Sequence, residues 1–134
     1  LNVTAERGRL AEVIPALQER GGEVSLFVDP EPVQLDAAKE AGATFVELHT
    51  GRYAIQQGAG RDAELERLVQ AARHASSIGL RVNAGHGLDY ANVAEVAKLP
   101  GVEELNIGFA IVAHALTVGV EAAIREMKAA IAGA

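Results

Sequence analysis

The stretch ATFVELH (43–49) decides the fold class. Its β-branched and aromatic residues predict a strand. Alternation divides that strand into two unlike faces, Val46 and Leu48 on one side and Phe45, Glu47 and His49 on the other. The same division recurs three times. EVSLFVD (23–29) sets Val24, Leu26 and Val28 against Ser25, Phe27 and Asp29. LRVNA (80–84) sets Leu80 and Val82 against Arg81 and Asn83, and VEELNI (102–107) sets Leu105 and Ile107 against Glu104 and Asn106. Each apolar face must pack under helices, because burying unpaired charge is costly. The polar faces then look into a shared interior. An open sheet covered by helices on both sides would require both faces to be apolar.

Helical segments separate these strands. Residues 5–20 read as a helix with Thr4 as its cap and an apolar stripe of Leu10, Val13, Ile14 and Leu17. Asp29-Pro30-Glu31 reads as the start of a helix that runs to about Ala41 and ends at Gly42. Thr50–Gly60 reads as a Gly-containing loop, Arg61–Ile78 as an amphipathic helix, and Gly85–Leu88 as a Gly-rich turn. Asp89 is placed as the cap of a helix to about Leu99, closed by Pro100-Gly101. Short helices follow near 109–116 and 120–132, with Gly119 between them.

The pattern is α(βα)₄. Strict βα alternation implies parallel strands joined by right-handed crossovers. The polar inner faces and the leading helix without a strand favour a (β/α)₈ barrel, of which residues 1–134 supply the last four βα units plus the preceding helix as a single partial domain. Four strands cannot close such a barrel, which needs about eight. The other four are expected from an N-terminal half of the barrel. The chain opens at Leu1 rather than Met, which suggests processing, a cut chain or further residues upstream.

Composition narrows the function classes. The formal net charge of −6 gives no electrostatic reason to bind nucleic acid, so a phosphate ligand must be held by local donors. There is no cysteine, which excludes disulfides, thiolate metal sites and a thiol nucleophile. Nothing resembles a signal peptide, and no apolar run is long enough to cross a bilayer. A cytoplasmic location and no membrane partner are therefore expected.

Active sites of such barrels lie at the C-terminal ends of the strands. Those ends carry Asp29, Glu47-Leu48-His49-Thr50-Gly51, Asn83-Ala84-Gly85-His86-Gly87 and Asn106-Ile107-Gly108. The last two segments can cradle phosphate, since glycines admit close backbone approach and Gly108 opens a helix whose N-terminus favours an anion. The same glycines can equally serve tight βα turns. His86 stands free of any apolar stripe and can protonate a leaving hydroxyl, or act structurally by bonding a carbonyl. Glu47 can act as a base or stabilise positive charge, or form an ion pair with Arg81. Glu47, His49 and His86 can supply metal ligands, but the usual spacings are absent, and no metal is expected. His74 and His114 read as surface or packing residues. Arg52 either reaches an anion or is solvated.

VSLFVD (24–29), FVELHTGRYA (45–54), LRVNAGHGLDYANV (80–93) and ELNIGFAIVAHAL (104–116) together resemble, in order and spacing, the pyridoxine 5′-phosphate synthase family. The resemblance covers nearly the whole chain, and NAGHGL with ELNIG is its most specific part. It implies a (β/α)₈ barrel that condenses 3-amino-2-oxopropyl phosphate with 1-deoxy-D-xylulose 5-phosphate to pyridoxine 5′-phosphate, phosphate and water. It further implies a cytoplasmic homo-octamer with no redox cofactor. His86 matches that family's proton donor and Glu47 its transition-state-stabilising glutamate. Gly87, Gly108 and the position of Phe109 match phosphate-binding positions.

Phe109 departs from the family, which usually has His there. If the position acts through its backbone N–H, binding survives; if the family's imidazole contacts phosphate there, affinity falls. The family's catalytic bases and remaining substrate contacts lie in the first half of the barrel, so this segment by itself is expected to be inactive. Two other classes remain: a non-catalytic phosphate-binding half-barrel or assembly fragment, and an isomerase or aldolase barrel. The aldolase option lacks a strand-borne Lys for a Schiff base.

Overall fold

The computed structural model describes residues 1–133. Helix α1 (Arg7–Gln18) leads into β1 (Ser25–Val28), α2 (Pro32–Glu40), β2 (Phe45–His49), α3 (Gly51–Ile55), α4 (Gly58–Ser77) and β3 (Arg81–Gly85). Then come α5 (Val93–Ala97), β4 (Val102–Asn106), α6 (Phe109–Val118) and α7 (Val120–Ala132). The four strands form one parallel sheet in the order β1-β2-β3-β4. Every crossover leads to the next strand in space. Right-handed connections therefore place all the helices on one face, and the order has no reversal of the kind that marks a doubly wound sheet.

The two strand faces are as unlike as their residues. Leu26, Val28, Val46, Leu48, Val82 and Ala84 are at most 6% exposed and share one core with Leu35, Leu68, Ala72, Val93 and Val96 of the covering helices. On the opposite face Phe27 is 38% exposed and Asn106 is exposed, while Glu47 and His49 are half-buried. Gly42 and Gly79, at φ 87 and 80, turn the chain out of α2 and α4 in the left-handed region that glycine enters without a Cβ penalty.

Several local expectations are corrected. Thr4 does not cap α1; its hydroxyl donates to Asn2, and the cap position is Glu6. Ile14 is the buried member of the proposed stripe, whereas Val13 and Leu17 are exposed. Asp29 does not cap α2, which starts at Pro32 with Glu31 before it. Residues 50–60 are not a plain loop, because α3 occupies five of them and α4 begins at Gly58. One turn of helix has too few positions to show a 3.6-residue period. Tyr53 anchors it: its ring is buried, and its hydroxyl donates to the Asn92 carbonyl (2.9 Å) and accepts from Arg61 (2.8 Å). Asp89 accepts the amides of Ala91 and Asn92 in an Asx turn, so α5 starts four residues later than its expected cap.

Candidate active site

The sheet register brings the polar side chains together. Phe27 pairs with Glu47 and Glu47 with Asn83, while His49 pairs with Gly85 and Gly85 with Asn106. β2 and β4 are not neighbours, yet Asn106 Nδ2 donates to Glu47 Oε2 at 2.8 Å. The bond crosses β3 at Gly85. A Cβ there would overlap Glu47 Oε1 and stand 2.9 Å from the Asn106 carbonyl. Gly85 is thus the gap through which a carboxylate from one strand reaches an amide two strands away. Arg81 takes no part, contrary to the ion-pair alternative for Glu47. It bonds Glu103 at 2.9 Å and Glu23 at 3.4 Å at the opposite end of the sheet. There the hydrogen bond from Arg81 holds the Glu103 carboxyl below its ordinary value, and Glu103 raises Arg81.

His86 adopts φ +80, the one non-glycine residue at positive φ among those described. A left-handed L-residue costs on the order of 1–3 kcal/mol and persists only where its surroundings enforce it. Here Thr50 enforces it. Fully buried, its hydroxyl lies 2.6 Å from the His86 carbonyl and 2.8 Å from that of Gly85, while its amide donates to the Gly85 carbonyl at 2.9 Å. The imidazole of His86 packs edge-on to His49 with ring centroids 4.8 Å apart, and Phe27 meets His49 the same way at 5.0 Å. His49 Nδ1 bonds Asp29 Oδ1 at 3.1 Å.

A cleft of about 910 Å³ lies at the C-terminal ends of the strands. Its lining includes Phe27, Glu47, His86, Gly87, Asn106 and Gly108. Phe109 lines it too, and its ring is 89% exposed. Asn83 Oδ1, on the Glu47 face of the sheet, is buried without a hydrogen-bond partner among the described residues. An acceptor left in that state costs about 1–3 kcal/mol.

The glycines separate by cause. Gly87 has φ +77, and a Cβ would stand 2.8 Å from Ala54 Cβ, so the turn alone demands glycine. Gly108 has φ −110, which any residue adopts, and a Cβ there would meet no atom within 4 Å. No packing among the described residues demands glycine at 108. It stands directly before α6, whose first-turn amides have no intrahelical acceptor. Helix N-termini of this kind favour anions in general.

The remaining candidates lie elsewhere. His74 pairs with Asp36 (2.7 Å) and His114 with Glu126 (2.6 Å) on the helical surface. His114 also packs on Tyr90, whose hydroxyl is raised by burial and then by Glu126. Arg52 approaches Glu64 at 3.9 Å. No cluster of three His, Asp or Glu disposed to hold a metal occurs among the described residues. Thr50 and Gly85 stood in the strand-end segments without an assigned role. The structure gives them the work of shaping the His86 turn and admitting the Glu47–Asn106 bond.

A singly wound parallel α/β sheet with an acid, an imidazole and a helix N-terminus beside a cleft at its carboxyl rim defines the class: an α/β protein with a polar cleft at the C-terminal ends of its strands. The family described as Pyridoxal phosphate biosynthesis protein PdxJ matches residues 1–133, and the chain belongs to it. It is 52% identical over 132 residues to a pyridoxine 5′-phosphate synthase of Synechococcus sp. (strain JA-2-3B'a(2-13)), covering 98% of this chain and 55% of that protein. The synthases of Parasynechococcus marenigrum (52% identical, 53% of its length) and Magnetococcus marinus (54% identical, 53% of its length) are similar over 98% and 96% of the chain. The chain spans about half the length of the curated relatives it matches.

Proposed function

We propose that this chain is the C-terminal half of a (β/α)₈ barrel whose complete form is a pyridoxine 5′-phosphate synthase. It condenses 3-amino-2-oxopropyl phosphate with 1-deoxy-D-xylulose 5-phosphate to pyridoxine 5′-phosphate, phosphate and water. The observation that carries this reading is the convergence of Glu47, His86, Gly87, Gly108 and Phe109 on one cleft, with family membership behind it.

The chemistry suits the groups present. Attack of the amine on a ketone carbon gives a carbinolamine, and expulsion of its hydroxyl as water gives a C=N bond. His86 donates the proton that lets the hydroxyl leave. Glu47, oriented by Asn106, stabilises the positive charge that develops on nitrogen. The amides at Gly108 and Phe109 hold a substrate phosphate, which makes the Phe109 side chain incidental to binding.

The remaining bases and substrate contacts come from an N-terminal half that pairs with the free edges of β1 and β4. The exposed apolar residues of α6 and α7, among them Val112, Leu116 and Ile124, supply surface for that half or for another subunit of a cytoplasmic homo-oligomer, an octamer by family resemblance. No helix among the described residues is long and apolar enough to cross a membrane.

The test is a chimera that joins the N-terminal part of the Synechococcus relative to this chain, assayed for pyridoxine 5′-phosphate formation. Turnover is expected. His86→Ala should lower kcat by roughly 10²–10⁴ with a smaller change in KM. Unchanged turnover would remove His86 from its role. A folded chimera that binds inorganic phosphate without turnover would favour a non-catalytic binding module.

A further inference from the structure

The structure assigns Asp29 and His49 as a positioning pair that fixes the imidazole of His86; this rests on the catalytic reading of His86 proposed above. The Thr50 clamp fixes the backbone of His86, but a backbone hold leaves the side-chain torsions free. The ring therefore needs contacts of its own. On the sheet side those contacts are His49, edge-on at 4.8 Å between centroids, and Phe27, tilted at 6.1 Å. Gly51 closes the same side. A Cβ there would lie 2.7 Å from His49 Nε2 and 3.0 Å from His86 Cδ2, so both rings rest against its bare backbone.

His49 is itself held. Its Nδ1 donates to Asp29 Oδ1 at 3.1 Å, across from β2 to the residue that follows β1. The carboxylate selects the tautomer with hydrogen on Nδ1 and fixes the ring plane. Neither Asp29 nor His49 is among the residues lining the cleft, and the pair reaches it through the ring of His86. The order of support runs Asp29, His49, His86, one residue from the end of each of three successive strands.

Kinetics of the complete enzyme test this, with Asp29→Ala, Asp29→Asn and His49→Phe compared. Asp29→Ala and His49→Phe should each lower kcat on the order of tenfold, inside the hundredfold that a misplacement of about 1 Å can cost, and leave KM within about twofold. Asp29→Asn, which keeps an acceptor oxygen, should restore most of the rate. In a His86→Ala background, His49→Phe should cost nothing further. A loss confined to KM, an unchanged kcat in both variants, or an undiminished effect of His49→Phe without His86 would overturn the assignment. The orientation of the His86 ring in a crystal structure of the Asp29→Ala protein gives a reading independent of activity, and an unmoved ring would also overturn it. Absence of synthase turnover in the parent enzyme would sink the functional reading alone, since the ring orientation still decides the positioning pair.

Discussion

Replacing Gly85 with alanine adds one methyl group at the crossing point of the Glu47–Asn106 bond. The new Cβ would overlap Glu47 Oε1, stand 2.9 Å from the Asn106 carbonyl oxygen and 3.0 Å from Asn106 Cβ. The Glu47 tail can swing away. The Asn106 carbonyl belongs to β4 and cannot move without disturbing the β3–β4 pairing. Forcing a methyl group into such a packed place costs about 1–3 kcal/mol. Alanine also narrows the unfolded ensemble, a gain of about 0.4–1 kcal/mol where the backbone tolerates it, and the φ of Gly85 is not among the positive ones. The net expectation is a loss of about 1–2 kcal/mol, read as a lower urea midpoint at unchanged m-value. Gly108→Ala is the control: its open surroundings and φ of −110 predict stability within about 0.5 kcal/mol of the parent. In the complete enzyme Gly85→Ala should also reduce kcat, because the Glu47 carboxylate loses its place. A Gly85→Ala protein as stable as the Gly108→Ala control, with Glu47 still bonded to Asn106, would refute the steric reasoning.

Three further outcomes are expected. Thr50→Val keeps the shape of a fully buried side chain but removes the hydroxyl held by the His86 carbonyl; it should cost about 1–2 kcal/mol by denaturant titration and release His86 from positive φ in a crystal structure. Phe109→Ala removes a ring that is 89% exposed, so stability and affinity for inorganic phosphate, measured by calorimetry, should stay within about 0.5 kcal/mol of the parent; a larger loss of affinity would place the ring itself in the site. The third outcome is a pH dependence. Glu103 is held below its ordinary value of 4.5 first by the Arg81 hydrogen bond. A depressed folded-state carboxyl contributes stability above the unfolded value and loses it as pH falls through the folded one. The melting temperatures of the parent and Glu103→Gln should therefore converge as pH drops below 4.5; a gap that persists in acid would show that the pair is not its source.

The alternation of four strands and the glycines after the helices were legible in the sequence because each depends on neighbours within a few residues. Leu26, Val28, Val46, Leu48 and Val82 are buried where period two placed them. Features decided at long range or by short elements leave no such local signal. Asp29 looked like a helix cap because acid-Pro is a local signal, yet its carboxylate is taken by His49, twenty residues on. α3 was hidden by its length. His86 and Glu47 stood out by residue type at strand ends, but no residue type announces positive φ at a histidine or a hydrogen bond that crosses an intervening strand. The two roles open to the glycines divide only once each virtual Cβ has a place. At Gly87 the turn suffices as a cause, and at Gly108 it does not.

The position of Asn106 depends on one irregularity in the sheet. Val82 pairs with Val102, but Asn83 pairs with Glu104, so β4 carries one residue more than β3 at this point. The extra residue is Glu103, which is exposed and bonded to Arg81. Because strand side chains alternate, a regular ladder would set Glu103 and Leu105 opposite Asn83 and Gly85, on the polar face, and turn Glu104 and Asn106 toward the helices. Leu105 would then leave the core it packs against, and two polar groups would enter it. The bulge prevents this and delivers Asn106 to Glu47. The side chain of the extra residue meets Arg81 at the far end of the sheet from the cleft. Bulges of this kind re-aim side chains beside clefts, and here the side chains re-aimed are those of Glu104 and Asn106.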